Sequence, residues 1–278
     1  MKRRVAIQGT YGCFHDLASH LFFKNEEIEI VECASFKEEF KVVKEDESMY
    51  ALVAIENTIA GSLLQNYELL LKSGLTIVGE HKLRIKHCLC ALEGQKIEDL
   101  HEVISHPVAL MQCGDFLDRK PHLRVVEGGD TAGSAKKVAN ENLKGVGVIC
   151  STHAAKLYGL NVIEDGIETN KHNFTRFLVL AHKDEPSLHP VMNKSSIAFA
   201  VPHASGALSK ILTILSFYDI NLTKIQSNPI IGKEWEYFFY VDLCYEDYER
   251  YCQAILAIKP LSIDLRILGN YAIGEQTI

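Results

Sequence analysis

The sequence contains no apolar run approaching the roughly 20 residues that a membrane-spanning helix needs. Its start, Met1 to Ile7, also lacks the apolar stretch of a secretion signal. A cytosolic protein with no membrane partner is the resulting expectation. Positive charge is scarce too. The formal net charge is -7 at pH 7, and Lys2-Arg3-Arg4 is only a short basic start, not the concentrated basic surface that a nucleic-acid partner requires. Low-complexity segments and short-period repeats are missing, so neither a repeat array nor a tail of biased composition is expected. The eight cysteines are scattered through expected strands and helices, without the density of a small secreted scaffold, and are read as reduced thiols. Only Cys88-Leu89-Cys90 has close spacing. In an alternating strand those two thiols share a face with no second pair to complete a metal centre, so no metal is expected.

At 278 residues and 47% hydrophobic content, the chain can form about two domains with ordinary packed cores. Arg4-Val5-Ala6-Ile7 reads as a strand that Gly9-Thr10-Tyr11-Gly12 turns into a helix over 14–23. Glycines placed after a strand let a helix N-terminus face a ligand, and its free N–H groups favour an anion. The third glycine and the later acidic residue of a dinucleotide fingerprint are lacking. A helix over 36–44 follows. Residues 50–55 then form a buried strand ending at Glu56-Asn57-Thr58, and Gly61-Ser62 opens a helix over 63–73. Strands at 75–80, 84–92, 102–106, 124–126 and 145–150 alternate with helices at 107–117, 132–141 and from 151 to Tyr158. That rhythm predicts an α/β layer fold with a largely parallel sheet. Ligands bind beyond the carboxyl ends of such strands. Polar clusters at 9–15, 56–62, 105–112 and 130–134 all fall there, which predicts a cleft for an anionic small molecule.

His172-Asn173-Phe174-Thr175-Arg176-Phe177 leads into the apolar run Leu178-Val179-Leu180-Ala181 and reads as a loop entering a buried strand. An arginine beside a hydroxyl at a strand start can clamp a carboxylate while the hydroxyl reaches the reacting part of the same molecule. Two prolines mark a linker at 184–190. Beyond it, strands at 196–201, 222–227, 235–244 and 263–268 and helices at 206–218 and 248–258 give the βαββαβ order of a ferredoxin-like domain. A unit of about 80 residues has a small core, which pairing with a second copy would enlarge. Asn66 and Tyr67 are expected on the surface of their helix, Trp235 and Tyr237 in sheet packing, and His106 in a structural role before Pro107. Glu56 is open between an ion-pair partner and a neighbour of the substrate.

Five stretches, taken in order, carry a resemblance to a known family: residues 9–18, 55–62, Ser105-His106-Pro107-Val108-Ala109-Leu110-Met111-Gln112-Cys113, Asp130-Thr131-Ala132, and Asn173-Phe174-Thr175-Arg176-Phe177. With Gly206-Ala207-Leu208 and Trp235-Glu236-Tyr237 they make the whole chain similar to the bacterial prephenate dehydratases. The resemblance implies a catalytic domain over 1–183, built as two α/β lobes like type 2 periplasmic binding proteins. The lobes would be about 1–80 plus 160–183, and 81–159. A linker at 184–194 and a ferredoxin-like ACT regulatory domain at 195–278 would follow. It implies conversion of prephenate to phenylpyruvate, water and carbon dioxide without a cofactor. Because the first strand begins at Arg4, a stand-alone dehydratase rather than a mutase fusion is expected.

By the same resemblance, Thr175 donates a hydrogen bond to the departing oxygen and Arg176 clamps a carboxylate, aided by helix N-termini near Ser62 and Thr131. Asn57 and Thr58 position the ring hydroxyl or the pyruvyl group, Gln112 completes the hydrogen-bond set, and Asn173 and Phe177 complete the substrate pocket. His15 stands where many members carry serine. The implied effector is L-phenylalanine, bound between subunits of a homo-dimer or homo-tetramer by the Gly206-Ala207-Leu208 loop and the turn Gln226-Ser227-Asn228-Pro229. The family has Glu-Ser-Arg-Pro at that turn, so both charges are missing here. Two other readings stand beside this one. An arogenate dehydratase would find Glu56 useful against a substrate amine, and a non-catalytic sensor of aromatic acids would need only the cleft.

Overall fold

In the computed structural model, which describes residues 2–183, 185, 187–230 and 232–277, the chain forms three sheets. The first has the order Gln276–Thr277, Thr76–Arg84, Phe174–Ala181, Met49–Asn57, Arg3–Gln8, Ile28–Cys33. Met49–Asn57 and Ile28–Cys33 both run parallel to Arg3–Gln8, whereas Phe174–Ala181 is antiparallel to both of its neighbours. The expected largely parallel sheet is therefore mixed at its centre. Its central strands read as continuous apolar runs because both faces are covered. Tyr50, Leu52 and Ala54 join one core with Phe177 and Val179, while Ala51, Val53 and Ile55 join a second core with Leu178 and Leu180. Alternation of side chains across the pleat divides each strand between the two.

The second sheet, in the order Asn161–Asp165, Cys88–Ala91, Val146–Cys150, Glu102–Ser105, Arg124–Glu127, makes the other lobe. Two segments, around residues 85–87 and 166–173, join the lobes and hydrogen-bond to each other. Ile85 N donates to Asn173 O at 2.8 Å, and Ile167 N to His87 O at 2.9 Å. Asn161–Asp165 thus belongs to the second lobe, so the chain returns to the first later than the expected residue 160. That strand lies at a sheet edge, largely exposed, where no apolar alternation marks it. The helix expected over 107–117 breaks at Cys113 into Pro107–Gln112 and Gly114–Asp118. Gly61–Ser62 does not open a helix. It pairs as a short strand with Glu56 and Asn57, and the helix begins at Leu64.

The third sheet is antiparallel, in the order Asn221–Pro229, Tyr237–Cys244, Lys194–Ala200, Ile263–Tyr271. Helices Ala207–Phe217 and Tyr248–Ile258 cover one face through Ile197, Phe199, Ile211, Leu215 and Ile255, completing the βαββαβ plan. Ala198, Tyr240, Leu268 and Tyr271 on the other face share a core with Ile77, Leu178 and Leu180 of the first lobe. Tyr67 belongs to this shared core, its ring 4.9 Å from that of Tyr240, and Asn66 donates to Ala54 O at 2.7 Å. The expected surface positions of Asn66 and Tyr67 are therefore corrected: the third sheet covers Tyr67, and Asn66 turns in to the first sheet. Gly269 makes the close approach possible: a Cβ there would lie 2.2 Å from Ile77 O. Trp235 is 73% exposed and precedes its strand, so it does not pack in the sheet. Lys194 opens a strand and is buried, so the linker expected over 184–194 ends by Asn193. Its Asp184 and Pro186 lie outside the described residues. No described helix is long and apolar enough to cross a membrane.

Candidate active site

Between the two lobes lies a cleft of about 420 Å³ whose wall includes Asn57, Thr175 and Phe177 from the first lobe and Gln112 and Thr131 from the second. Local chain geometry explains the first three. Thr175 pairs with Asn57 and Arg176 with Glu56, but Phe177 pairs with Ala54, so Ile55 is an extra residue bulged out of the ladder. A bulge shifts the alternation by one position. Without it, Glu56 would follow Leu52 and Ala54 onto the cleft face. With it, Asn57 takes that face beside Thr175, and Glu56 turns to the opposite side.

Asn57 is the fixed point of the site. Its Oδ1 accepts from Ile59 N and Ala60 N, both at 2.9 Å, which orients the amide. Its Nδ2 then donates to Asn173 Oδ1 at 2.7 Å and to Thr175 Oγ1 at 3.0 Å. Because Thr175 Oγ1 is an acceptor in that bond, its own proton is left to donate into the cleft. Asn173, fully buried, stands behind the wall rather than in it. Thr58 also lies outside. Its Oγ1 donates to His172 O at 3.0 Å and accepts from Phe174 N at 2.9 Å, clasping the loop that delivers Thr175.

Arg176 does not reach the cleft, which corrects its expected role as a carboxylate clamp. It faces away from Thr175, as neighbours on a strand must. Arg176 Nε donates to Glu80 at 2.7 Å and Nη1 to Asp242 at 2.5 Å, with Glu56 3.7 Å away. Lys194 also donates to both oxygens of Glu80, at 2.9 and 2.8 Å. Burial pulls the guanidinium pKa down, but Asp242, Tyr271 and Glu80 outweigh it and hold Arg176 charged. Ser62 is a second correction. With Glu56 it takes the Lys224 ammonium, each at 2.7 Å, so Ser62 binds the third sheet rather than substrate. The rung next to the Asn57–Thr175 pair thus grips the C-terminal unit.

Burial alone would push the Glu80 carboxyl up, but Arg176 and Lys194 outweigh it and hold it down at about 2, against an ordinary 4.5. A carboxyl depressed on folding contributes stability that is complete above pH 4.5 and is lost as pH falls towards 2. The stability gap between the parent and Glu80→Gln is therefore expected to be widest above pH 4.5 and to narrow on acidification. Urea midpoints across that range measure it. A gap independent of pH would remove Glu80 from this account.

The second lobe closes over the Gly9–Asp16 turn. Thr10 Oγ1 donates to the Asp130 carboxylate at 3.1 Å, Tyr158 OH donates to Tyr11 O at 2.6 Å, and Asp16 Oδ2 lies 3.1 Å from His153 Nε2. Gly12, at φ +88°, permits this contact, since a Cβ would lie 3.3 Å from Ala154 Cα. Three helix N-termini meet at the cleft: Phe14–Phe22, Pro107–Gln112 and Thr131–Asn140. The first has no side-chain hydrogen-bond cap at Cys13. Among the described residues of the wall there is no lysine or arginine. The wall offers neutral donors and helix ends, beside the Asp130 carboxylate.

Burial favours the neutral forms of three ionisable side chains of the wall, His15, His87 and Cys13. Burial pushes His15 down to about 4 and lowers His87, and it pushes the Cys13 thiol up to about 12. His15 stands edge-on to Phe177 at 5.0 Å, and His106 caps its helix by accepting from Val108 N at 3.2 Å, in keeping with its structural reading. Sequence reasoning missed His87, whose Nε2 lies 3.0 Å from Gln112 Oε1. A lone histidine in a lobe-crossing segment carries no motif that would have marked it.

A second hollow, about 510 Å³, lies in the C-terminal unit and is lined by Gly206, Ala207 and Leu208 together with Trp235 and Tyr237. Gln226, Ser227, Asn228 and Pro229 are not in its wall. They end the edge strand Asn221–Pro229, paired with Tyr237–Tyr240, so they form a strand end and not the expected turn.

The prephenate dehydratase family model matches residues 5–185. Arogenate dehydratase/prephenate dehydratase 2 of Arabidopsis thaliana, a chloroplastic protein, is 39% identical over 288 residues, covering 99% of this chain and 74% of its own. Among solved structures, GqqA, described as a novel type of quorum quenching acylase, matches with a TM-score of 0.87 at 28% identity, covering 98% of each chain. Prephenate dehydratase from Arthrobacter aurescens in complex with L-Phe matches with a TM-score of 0.86 at 25% identity, covering 99% of this chain and 92% of that one. By the family match across both lobes and the likeness along almost its whole length, this chain belongs to the prephenate dehydratase family.

Proposed function

We propose that this chain converts prephenate to phenylpyruvate in the cytosol, as a step of phenylalanine biosynthesis. The observation that carries the reading is the Thr175 hydroxyl, which accepts from an anchored Asn57 amide and keeps its proton for the cleft. Prephenate is a dicarboxylate with a ring hydroxyl. The electron pair of the bond to the ring carboxylate moves into the ring as the carbon–oxygen bond at the hydroxyl carbon breaks. Carbon dioxide departs, hydroxide takes up a proton to leave as water, and the ring becomes aromatic. No electron sink is required of the protein. Thr175 holds the departing oxygen by a hydrogen bond, which acts through fixed geometry in a low-dielectric site because a threonine hydroxyl is a weak acid. Gln112, Thr131 and the helix N-termini hold the carboxylates, and Phe177 packs against the ring.

Residues 1–183 serve as the catalytic domain, and the unit from Lys194 onward serves as an ACT-type regulatory domain. L-phenylalanine binds it at Gly206, Ala207 and Leu208, completed by Gln226, Ser227, Asn228 and Pro229 of a second subunit in a homo-dimer or homo-tetramer. The solved relative with bound L-Phe supports this reading. Arogenate remains the competing substrate, since the Arabidopsis relative carries both activities in its name. The earlier reason to favour it is gone, because Glu56 binds Lys224 and turns from the cleft. An acylase reading lacks an activated nucleophile among the described wall residues: the Cys13 thiol is pushed up to about 12 and Thr175 has no basic partner.

The deciding experiment offers prephenate and arogenate separately to the purified protein and follows phenylpyruvate and phenylalanine. Faster turnover of prephenate is expected, slowed by added L-phenylalanine. Turnover of arogenate alone would replace the substrate. Absence of both turnovers would leave the aromatic-acid sensor, and a calorimetric titration without heat from L-phenylalanine would remove the effector.

A further inference from the structure

His87 is 2% exposed and sits where the chain first crosses between the lobes. Its main-chain N–H donates to Glu168 Oε2 at 3.0 Å and its carbonyl accepts from Ile167 N at 2.9 Å, both in the second crossing segment. The imidazole stands edge-on to Phe14 of the first lobe, centroids 5.5 Å apart. Its Nε2 lies 3.0 Å from Gln112 Oε1, and its Nδ1 is buried with no partner.

A neutral imidazole carries one proton, and its place decides which way the Gln112 amide faces. On Nδ1, the proton would be a buried donor with nothing to accept it, and Nε2 would then need the Gln112 NH2 group. On Nε2, only a lone pair is left unpaired. The second arrangement is less costly, because orphaned buried N–H groups are the rarer defect. His87 therefore donates and Gln112 Oε1 accepts. The Gln112 amide nitrogen has no protein partner among the described hydrogen bonds, and Gln112 forms part of the cleft wall. The Gln112 carbonyl is meanwhile held by Thr169 N at 2.8 Å, so both crossing segments grip this one residue.

We propose that His87 is a positioning residue that holds the Gln112 amide with its NH2 group towards the cleft, as a donor to a substrate carboxylate. This rests on the reading of the cleft as the prephenate site. With no lysine or arginine among the described wall residues, a carboxylate there depends on such neutral donors. A reversed amide would set the Gln112 oxygen against the carboxylate.

The test is a double-mutant cycle on the full chain, with kcat and KM for prephenate and the thermal midpoint of each variant. His87→Leu is expected to raise KM about tenfold with kcat within about threefold. His87→Gln, which restores an N–H donor, should recover most of that loss. In a Gln112→Leu background, His87→Leu should add nothing, since the group it positions is gone. An equal His87→Leu effect in both backgrounds, or no recovery with glutamine, overturns the proposal. Should His87→Leu fail to fold, Gln112→Glu decides: it sets a carboxylate oxygen towards the substrate and should raise KM on the order of a hundredfold, whereas a parental KM overturns the proposal. A parent that neither turns over prephenate nor binds it by calorimetry overturns the site reading together with this one. An active parent with an additive cycle overturns this one alone.

Discussion

Thr175→Ala is expected to lower kcat for prephenate by at least about a hundredfold, the scale typical for loss of a positioned donor at a developing charge. The fold should survive. Thr175 is half-buried at the cleft surface, and its removal deletes one hydrogen bond from Asn57, worth about 1 kcal/mol. Asn57 retains its bonds to Asn173 Oδ1 and to the amides of Ile59 and Ala60, so the wall keeps its shape. Thr175→Ser keeps the hydroxyl and should stay within about tenfold of the parent, the shortfall reflecting a less restricted rotamer. Steady-state rates of phenylpyruvate formation, run under metal-free conditions, measure both. Turnover unchanged in the alanine variant would keep the enzyme and remove Thr175 from its centre.

Arg176→Met should do something different in kind. Removing the guanidinium leaves Asp242 buried without its cation and Glu80 with Lys194 alone, and breaking a buried pair in this way costs about 3–5 kcal/mol. The first effect is a fall in the denaturant midpoint, accompanied by loosening of the third sheet from the first lobe. Prephenate binding by the protein that remains folded should change much less. The opposite pattern, an unchanged midpoint with KM raised more than a hundredfold, would be the signature of a lost carboxylate clamp and would return Arg176 to the cleft. The two variants alter adjacent residues. They separate chemistry from domain attachment because the pleat sends their side chains to opposite faces.

That pair also shows how far the chain could be read unaided. The strand at 174–181 was legible from its apolar run, and once it is a strand, Thr175 and Arg176 cannot both face one cleft. The period of two was a sufficient signal against the carboxylate clamp, and the proximity of a cation to a hydroxyl along the sequence obscured it. Glu56 was harder. Plain alternation from Leu52 and Ala54 puts it in the cleft, and only the bulge at Ile55 turns it away. A bulge is settled by pairing with a partner strand more than a hundred residues distant, so nothing local to residues 50–57 announces it.

The sequence by itself determined the α/β lobes, the βαββαβ unit, the convergence of polar strand ends on a cleft, and Asn57, Gln112, Thr131, Thr175 and Phe177 as members of its wall. The strand and helix rhythm and the converging polar strand ends follow from periodicity and glycine placement, which act over a few residues, whereas the division into two lobes and the pocket roles of those residues were implied by the family resemblance. Tertiary structure alone decided that Arg176, Glu56 and Ser62 serve the third sheet, that Tyr67 is buried beneath it and Asn66 against the first sheet, and that His87 meets Gln112. Each of these depends on which surface covers which. A cation acquires its role from the carboxylates brought to it, and a histidine from the group at its second nitrogen, so those roles are settled only when distant segments pack.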